Sequence, residues 1–250
     1  MKTLVTFLTH KASPHFTRLV HSVNPDKYDV LVLIDSSKAK HNGNYDGFNS
    51  IREVVSTCTA ERDTSMPYDS LGGHTMYINH FRKHPELLEK YDYIYLFEYD
   101  VYFHGGLEKF ITAHNDPAYH SDLLVPEYGL RYRGWRWFKS LKGYAHNYNV
   151  GCKVYAMRLS KDLFTYILEH LGNRFDGYVE ALLPRLCQPT VFTQQVIKGE
   201  TRFSMNRFRD TTIGTTAISE DSKILKYIKQ DILDGTENYI ENRLYHPIKL

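Results

Sequence analysis

The sequence predicts an α/β fold with one mixed, mainly parallel sheet flanked by helices. Residues 3–9 and 28–35 are short, apolar, β-branched runs, which are typical of buried strands. Between them, Ser13 and Pro14 offer a helix N-cap followed by proline at the first helical position. A strand, a helix and a second strand in this order favour parallel neighbouring strands joined by a crossover helix.

The rest of the chain continues this alternation. Apolar runs predict three more strands, over Tyr91–Phe97, Asp122–Val125 and Val150–Met157. Helices are predicted over Thr75–His84 and Gly106–His114, after the N-cap Ser160, and over residues 224–232. Residues 36–74, which include Gly72 and Gly73, are polar and turn-rich and predict a long loop. Because no repeat or linker interrupts the pattern, we expect a single domain over residues 1–250.

Composition indicates a soluble globular protein. The chain is 42% hydrophobic and 24% charged, and its net charge of +2 argues against a general polyanion binder. Its cysteines are Cys58, Cys152 and Cys187; their odd number and wide spacing favour thiols in a reducing compartment. The first apolar run is too short for a signal peptide or a membrane span. We therefore expect a cytoplasmic protein.

Two carboxylates mark the most informative stretch of the sequence. The apolar run from Tyr91 leads into Glu98 and Asp100, and Gly105 and Gly106 follow soon after. Side chains alternate along a strand, so residues 98 and 100 are expected to point the same way at the carboxyl end of the strand. Ligands bind at that edge of open α/β sheets, and paired oxygen donors there suit a divalent cation holding a phosphorylated substrate. The alternative is a pair of solvated acids without a ligand.

With this acidic pair at a strand end, the chain resembles nucleotide-sugar-dependent glycosyltransferases of the GT-A fold, a Rossmann-like single-domain architecture. In that family an Asp-x-Asp motif holds Mn²⁺ or Mg²⁺ against the diphosphate of the donor. Here Glu98 occupies the first position of the motif, which is a departure. The resemblance implies that Asp100 binds the metal directly, whereas Glu98 acts through a water or reaches the ribose.

A second point of resemblance lies near residue 250. Several GT-A enzymes supply a late histidine as a third metal ligand and a nearby lysine to the diphosphate, and His246 and Lys249 match these roles. Imidazole is a good ligand for Mn²⁺, and Pro247 favours an extended backbone at its neighbour. Without the acidic motif, a histidine at this position would be interpreted as an ordinary surface residue.

The third point of resemblance concerns the acceptor. Asn149 and Gly151 resemble the Asn-x-Gly segment that opens the acceptor-side strand in many of these enzymes. The segment beginning at Phe175 resembles the acidic segment that supplies the general base in inverting members. Glu180 is the implied base and Asp176 the alternate. The structural alternative for Glu180 is an acid in the first turn of a helix, where the helix dipole favours it anyway.

The donor nucleotide is assigned by position. Thr9 and His10 follow the first strand, where the nucleotide loop of the family lies. Asp35 and Ser36 close the second strand, where an acid commonly contacts the base. The resemblance thus implies a nucleotide-sugar donor half at residues 1–104.

The acceptor half, residues 105–250, ends in the metal- and diphosphate-binding tail. Residues 128–148 contain no acid but many cations and aromatic rings, which suit a glycan, an anionic ligand or stacked RNA bases. Trp135 and Trp137 are expected to stack on acceptor sugar rings. The alternative is a solvated basic loop whose aromatic rings pack inward.

The resulting hypothesis is a metal-dependent, inverting glycosyltransferase of polysaccharide biosynthesis. It would move a sugar from a nucleotide diphosphate, with UDP the choice from family frequency, to a hydroxyl of a glycan or lipid-linked glycan. Two alternatives stay open: a non-catalytic glycan- or RNA-binding module that uses residues 128–148, and a GT-A-like nucleotidyltransferase. The latter normally has a Gly-rich basic loop after the first strand, unlike residues 9–13. Peripheral membrane contact through the cations of residues 131–142 is also left open.

Overall fold

A computed structural model describes residues 1–9, 13–34, 72–103, 106–115, 121–130, 150–170, 179–187, 194–196 and 244–245. The strands are β1 (Thr3–Thr9), β2 (Asp29–Ile34), β3 (Tyr93–Glu98), β4 (Tyr102–Phe103), β5 (Leu123–Val125), β6 (Glu127–Leu130), β7 (Val150–Lys153), β8 (Ala156–Ser160), β9 (Gln194–Val196) and β10 (Leu244–Tyr245). The helices are α1 (Pro14–His21), α2 (Gly72–Lys83), α3 (Glu86–Lys90), α4 (Leu107–His114), α5 (Lys161–His170) and α6 (Val179–Cys187).

The main sheet has six strands in the order β2-β1-β3-β8-β5-β9. β1 pairs in parallel with β2 and β3, and β5 pairs in parallel with β9. β8 runs antiparallel to both of its neighbours. The predicted α/β class with a mixed, mainly parallel sheet is therefore confirmed. Because β8 alone is reversed, the other five strands of this sheet end at one edge, which we call the carboxyl edge, and β8 begins there.

Both faces of the sheet are covered. On β1, Leu4 and Leu8 belong to an apolar core that includes residues of α2, α3, α5 and α6. Val5 and Phe7 belong to a second core shared with α1 and α4. Successive side chains of a strand point to opposite faces, so a strand buried on both sides is a continuous apolar run. This is why the runs of the sequence predicted the central strands.

Local capping signals are reproduced by the structure. The Ser13 hydroxyl accepts a hydrogen bond from the Phe16 amide at 3.1 Å, and Pro14 is the first helical residue of α1. The Ser160 hydroxyl likewise accepts from the Leu163 amide at 3.1 Å ahead of α5. Each cap satisfies an amide that the first helical turn leaves without an internal partner.

Two element predictions were wrong in detail. The strand expected over Val150–Met157 is two strands, β7 and β8, separated by residues 154–155; β7 pairs with β6 in a separate sheet. Helix α2 begins at Gly72, inside the expected loop. Glycine disfavours helix only by about 1 kcal/mol, which tertiary packing of the apolar face overrides. The helix predicted over residues 224–232 lies outside the described residues.

The structure describes two of the three cysteines. Cys152 and Cys187 are buried as thiols, and burial raises the pKa of Cys187 to about 12. Cys58 lies outside the described residues. Within the part of the chain that the structure describes, no helix has the length and hydropathy needed to cross a bilayer.

Candidate active site

The predicted acidic pair lies at the carboxyl edge, at the end of the central strand β3. Glu98 is the last residue of β3 and is half-buried, whereas Asp100 is only 5% exposed. The Val101 amide donates to the Glu98 carbonyl at 3.2 Å, closing a turn around Tyr99 and Asp100. The Glu98 amide donates to the Tyr155 carbonyl at 2.9 Å, which ties this end to the start of β8. A buried carboxylate is thus held at the edge where such sheets bind ligands.

The prediction that strand alternation orients Glu98 and Asp100 alike was wrong. Strand alternation cannot set the direction of Asp100, because β3 ends at Glu98 and Asp100 belongs to the turn. The charges of both carboxylates nevertheless affect the same side chain, the phenol of Tyr99. Burial raises the pKa of Tyr99, and the charges of Asp100 and Glu98 raise it further. The turn therefore concentrates negative charge around the half-buried phenol, and a cation would be attracted to the same place.

A histidine that the sequence analysis missed packs against this turn. The His15 ring nitrogen Nε2 lies 2.9 Å from the Val101 carbonyl oxygen, and His15 is 5% exposed. Burial lowers the pKa of His15, opposed by the bond to Val101 and by the charge of Asp100. The signal was present, since His15 lies four residues before Leu19 on the buried face of α1. A histidine on such a face needs a polar partner.

A short strand pair beside the acidic turn joins distant parts of the chain. β10 pairs antiparallel with β4, with Tyr245 opposite Tyr102 and Leu244 opposite Phe103. Tyr102 follows Asp100 by two residues. The segment at residues 244–245 therefore lies beside the strand that leaves the acidic turn. His246 and Lys249 lie outside the described residues.

Glu180 is the second residue of α6 and is half-buried. Pro184 is inside this helix and has no amide hydrogen, so it cannot donate to the Glu180 carbonyl four residues earlier. α6 contacts β7, which contains the buried Gly151 and leads through Tyr155 to the carboxyl edge. The base expected from the sequence is thus in the first turn of a helix that contacts β7.

Thr9 ends β1 at the carboxyl edge and is 3% exposed, and Ile34 ends the neighbouring β2 directly before Asp35. The two strand ends at which donor contacts were expected are therefore adjacent. The other predicted site residues lie outside the described residues: His10, Asp35, Ser36, Trp135, Trp137, Asn149, Asp176, His246 and Lys249.

A metal ion is implied by the resemblance, and the donor chemistry of the acidic turn fits it. Glu98 and Asp100 offer carboxylate oxygens, the donors that Mg²⁺ and Mn²⁺ prefer. Among the described residues, no group of three or more His, Cys, Asp or Glu side chains is placed to hold a metal. A complete coordination shell therefore requires further ligands, such as substrate oxygens, water or a residue outside the described part.

The fold can be set beside known proteins. No protein-family model matches the chain, and no curated protein sequence matches it. Among solved structures, it is similar to a 4-diphosphocytidyl-2C-methyl-D-erythritol synthase from Anaerococcus prevotii, with 9% identity, a TM-score of 0.43, and 79% of this chain and 89% of that chain covered.

Two solved glycosyltransferases are similar to the same degree. For mouse xyloside xylosyltransferase 1 the identity is 10%, the TM-score 0.42, and the coverage 80% of this chain and 86% of that one. For a glycosyltransferase involved in glycosylation of the major capsid of PBCV-1 the identity is 11% and the TM-score 0.40. The match covers 86% of this chain and 95% of that one. At these identities and TM-scores, the likenesses carry no argument about activity.

Proposed function

We propose that the protein is a metal-dependent, inverting glycosyltransferase that moves a sugar from a nucleotide diphosphate donor to a hydroxyl of a glycan acceptor. The observation that carries the proposal is the surrounding of Asp100. This carboxylate is buried in the turn that follows the central strand, and β10 pairs with β4, which begins two residues after Asp100. Because β10 ends one residue before His246 in the sequence, this pairing supports assigning the late histidine to the same site as Asp100.

On the donor side, Asp100 and His246 would hold Mn²⁺ or Mg²⁺, with Glu98 acting through a water or on the ribose. When bound, the metal ion offsets the charge that develops on the leaving diphosphate. Lys249 would contact the same diphosphate. The nucleotide would lie along the ends of β1 and β2, where the contacts come from Thr9, His10, Asp35 and Ser36.

On the acceptor side, Glu180 would act as the general base, with Asp176 as the alternate. A bond forms between the acceptor oxygen and the anomeric carbon, the bond from that carbon to the diphosphate oxygen breaks, and the hydroxyl proton passes to the carboxylate. Attack from the face opposite the leaving group inverts the anomeric configuration. Trp135, Trp137, Asn149 and Gly151 would line the acceptor subsite, and UDP is the nucleotide we would test first.

The first test is a thermal-shift screen with UDP, GDP, CMP and ADP, each with Mn²⁺ and with EDTA. We expect one nucleotide to stabilise the protein only with the metal, and Asp100→Asn to abolish that shift. Released nucleoside diphosphate and the anomeric configuration of the product, read by NMR, then check glycosyl transfer and inversion. A folded protein that responds to none of the nucleotides would contradict the proposal. Pyrophosphate release from a nucleoside triphosphate and a sugar 1-phosphate would instead identify a nucleotidyltransferase.

A further inference from the structure

The segment that carries Asp100 and β4, residues 99–106, links β3 to α4 and is held at both of its ends by one helix, α1. At the first end, His15 near the start of α1 bonds the Val101 carbonyl. At the second end, Ser22, the C-cap of α1, contacts the start of α4. One short helix therefore contacts the segment twice: His15 contacts the residue after Asp100, and Ser22 contacts the first residues of α4.

The bond from His15 has a defined direction. A carbonyl oxygen can only accept, so His15 Nε2 carries the hydrogen and donates it across 2.9 Å. The Val101 amide donates to Glu98 at 3.2 Å, so both backbone polar groups of Val101 are engaged. Val101 itself is fully buried in the core next to α1. The residue after Asp100 is thereby constrained through its amide, its carbonyl and its side chain.

The contact at the other end of the segment is independent of this bond. The Ser22 hydroxyl accepts from the Leu107 amide at 3.0 Å and donates to the Leu19 carbonyl at 2.7 Å, and the Ser22 carbonyl accepts from Glu108 at 3.3 Å. Gly106 has φ +85°, and a Cβ there would lie 3.4 Å from the Ser22 Cβ. These Ser22 contacts cap the start of α4. Leu107, which donates one of them, is seven residues from Asp100 along the chain.

We propose that His15 is a positioning residue of the metal site: by donating to Val101, it holds the turn in the conformation that presents Asp100 to a divalent cation. This inference rests on the proposed function. A buried carbonyl that loses its donor is costly, so the turn is expected to rearrange when His15 is replaced by an apolar residue. The rearrangement would move Asp100 although the carboxylate itself is unchanged.

The test compares three variants of the full chain. His15→Leu removes the donor, and His15→Gln keeps an amide N–H at a similar distance along the side chain. Ser22→Ala is the matched control, because it removes the bond at the far end of the same segment. Mn²⁺ affinity is measured from the EPR signal of the free ion, and thermal melting measures stability. Hydrogen exchange of the amides of Tyr99–Val101 measures whether the turn keeps its conformation.

We expect His15→Leu to weaken Mn²⁺ binding about tenfold, the lower end of the effect of removing partners that orient metal ligands. Exchange at Tyr99–Val101 should rise, and His15→Gln should restore both values. Ser22→Ala should lower the melting temperature and leave Mn²⁺ affinity unchanged. If His15→Leu binds Mn²⁺ as the wild type does, or if Gln fails to restore binding, His15 is not a positioning residue.

Asp100→Asn separates this failure from failure of the proposed function. If the wild type binds Mn²⁺, Asp100→Asn does not, and His15→Leu is unaffected, the inference about His15 alone is overturned. If the wild type does not bind Mn²⁺, or if Asp100→Asn binds it equally well, the metal site itself is overturned and the role of His15 with it.

Discussion

The acidic residues at the two edges of the main sheet differ in burial and in the groups that surround them. At the amino edge, where β2 and β3 begin, Asp29 accepts from the Tyr91 hydroxyl at 2.7 Å and lies 3.5 Å from Lys2 and 3.4 Å from Lys90. Asp29 keeps 33% of its side chain exposed. At the carboxyl edge, Asp100 is 5% exposed and lies near the imidazole of His15 and the phenol of Tyr99.

The electrostatic consequences also differ. Burial would raise the pKa of Asp29, but the hydrogen bond from Tyr91 and the charges of Lys90 and Lys2 outweigh it and lower the pKa. The amino edge thus ties its acid to lysines that stabilise the folded chain. At the carboxyl edge burial raises the pKa of Tyr99, and the carboxylates of Asp100 and Glu98 raise it further. We interpret the amino edge as a stabilising arrangement, whereas the proposed function assigns cation binding to the carboxyl edge.

The largest effect is expected from Asp100→Asn. Loss of the metal-binding charge should reduce transferase activity about a thousandfold, or ~4 kcal/mol of transition-state stabilisation. The melting temperature should stay near that of the wild type, since the amide keeps the shape of the carboxylate. The measurement is initial rate with saturating Mn²⁺ beside a thermal melt. A fully active variant would remove Asp100 from the mechanism and abolish the contrast between the edges.

Glu180→Gln comes next, with an expected loss of about 10²–10⁴-fold in kcat, the usual contribution of a general base. Donor binding should be unchanged, because Glu180 is assigned to the acceptor. Glu169→Gln is the control, since Glu169 is an exposed acid of α5. Equal rates for Glu180→Gln and the control would leave Glu180 as a structural acid and would withdraw the prediction of inversion.

A pH effect should arise around the buried His114. Its Nδ1 lies 2.8 Å from the Phe110 carbonyl oxygen, and burial, assisted by the charge of Arg158, lowers the pKa of His114 to about 4. The unfolded chain binds this proton near pH 6.5 and the folded chain only near 4, so stability falls as pH falls through that window. The shift from 6.5 to about 4 corresponds to a loss of about 3 kcal/mol, complete below pH 4.

Urea unfolding of the wild type and of His114→Gln between pH 7 and 4 checks this effect. The variant lacks the titrating ring, so its unfolding free energy should fall less steeply over the window than that of the wild type. Parallel pH profiles for the two proteins would show that other groups cause the acid sensitivity.

The smallest effect is expected from Asp29→Asn, which should cost about 1–2 kcal/mol of unfolding free energy. The hydrogen bond from Tyr91 loses its charged acceptor, and the ion pairs with the partly exposed Lys2 and Lys90 are lost. Transferase activity should be retained. Asp26→Asn, at an exposed acid close by in sequence, should change neither property. Loss of activity in Asp29→Asn at a temperature where it is folded would show that the two edges are not separable.

Much of the fold could be predicted because its signals are local. The runs at β1 and β2 are apolar because both faces of these strands are buried, and Ser13 and Ser160 cap helices through bonds within three residues. The break between β7 and β8 could not be predicted from a local pattern. The apolar residues 154–157 run across the break, and pairing with different partners, β6 and β3, sets the boundary between the strands.

The sequence by itself determined the α/β class and the position of Glu98 and Asp100 at a strand end, since periodicity and caps act over a few residues. Only the tertiary structure decided that β8 runs antiparallel, that Tyr245 lies opposite Tyr102, and that His15 bonds Val101. The last two contacts join residues 143 and 86 positions apart in the chain. Contacts over such separations depend on the packing of the whole sheet and its helices, and no local pattern encodes them.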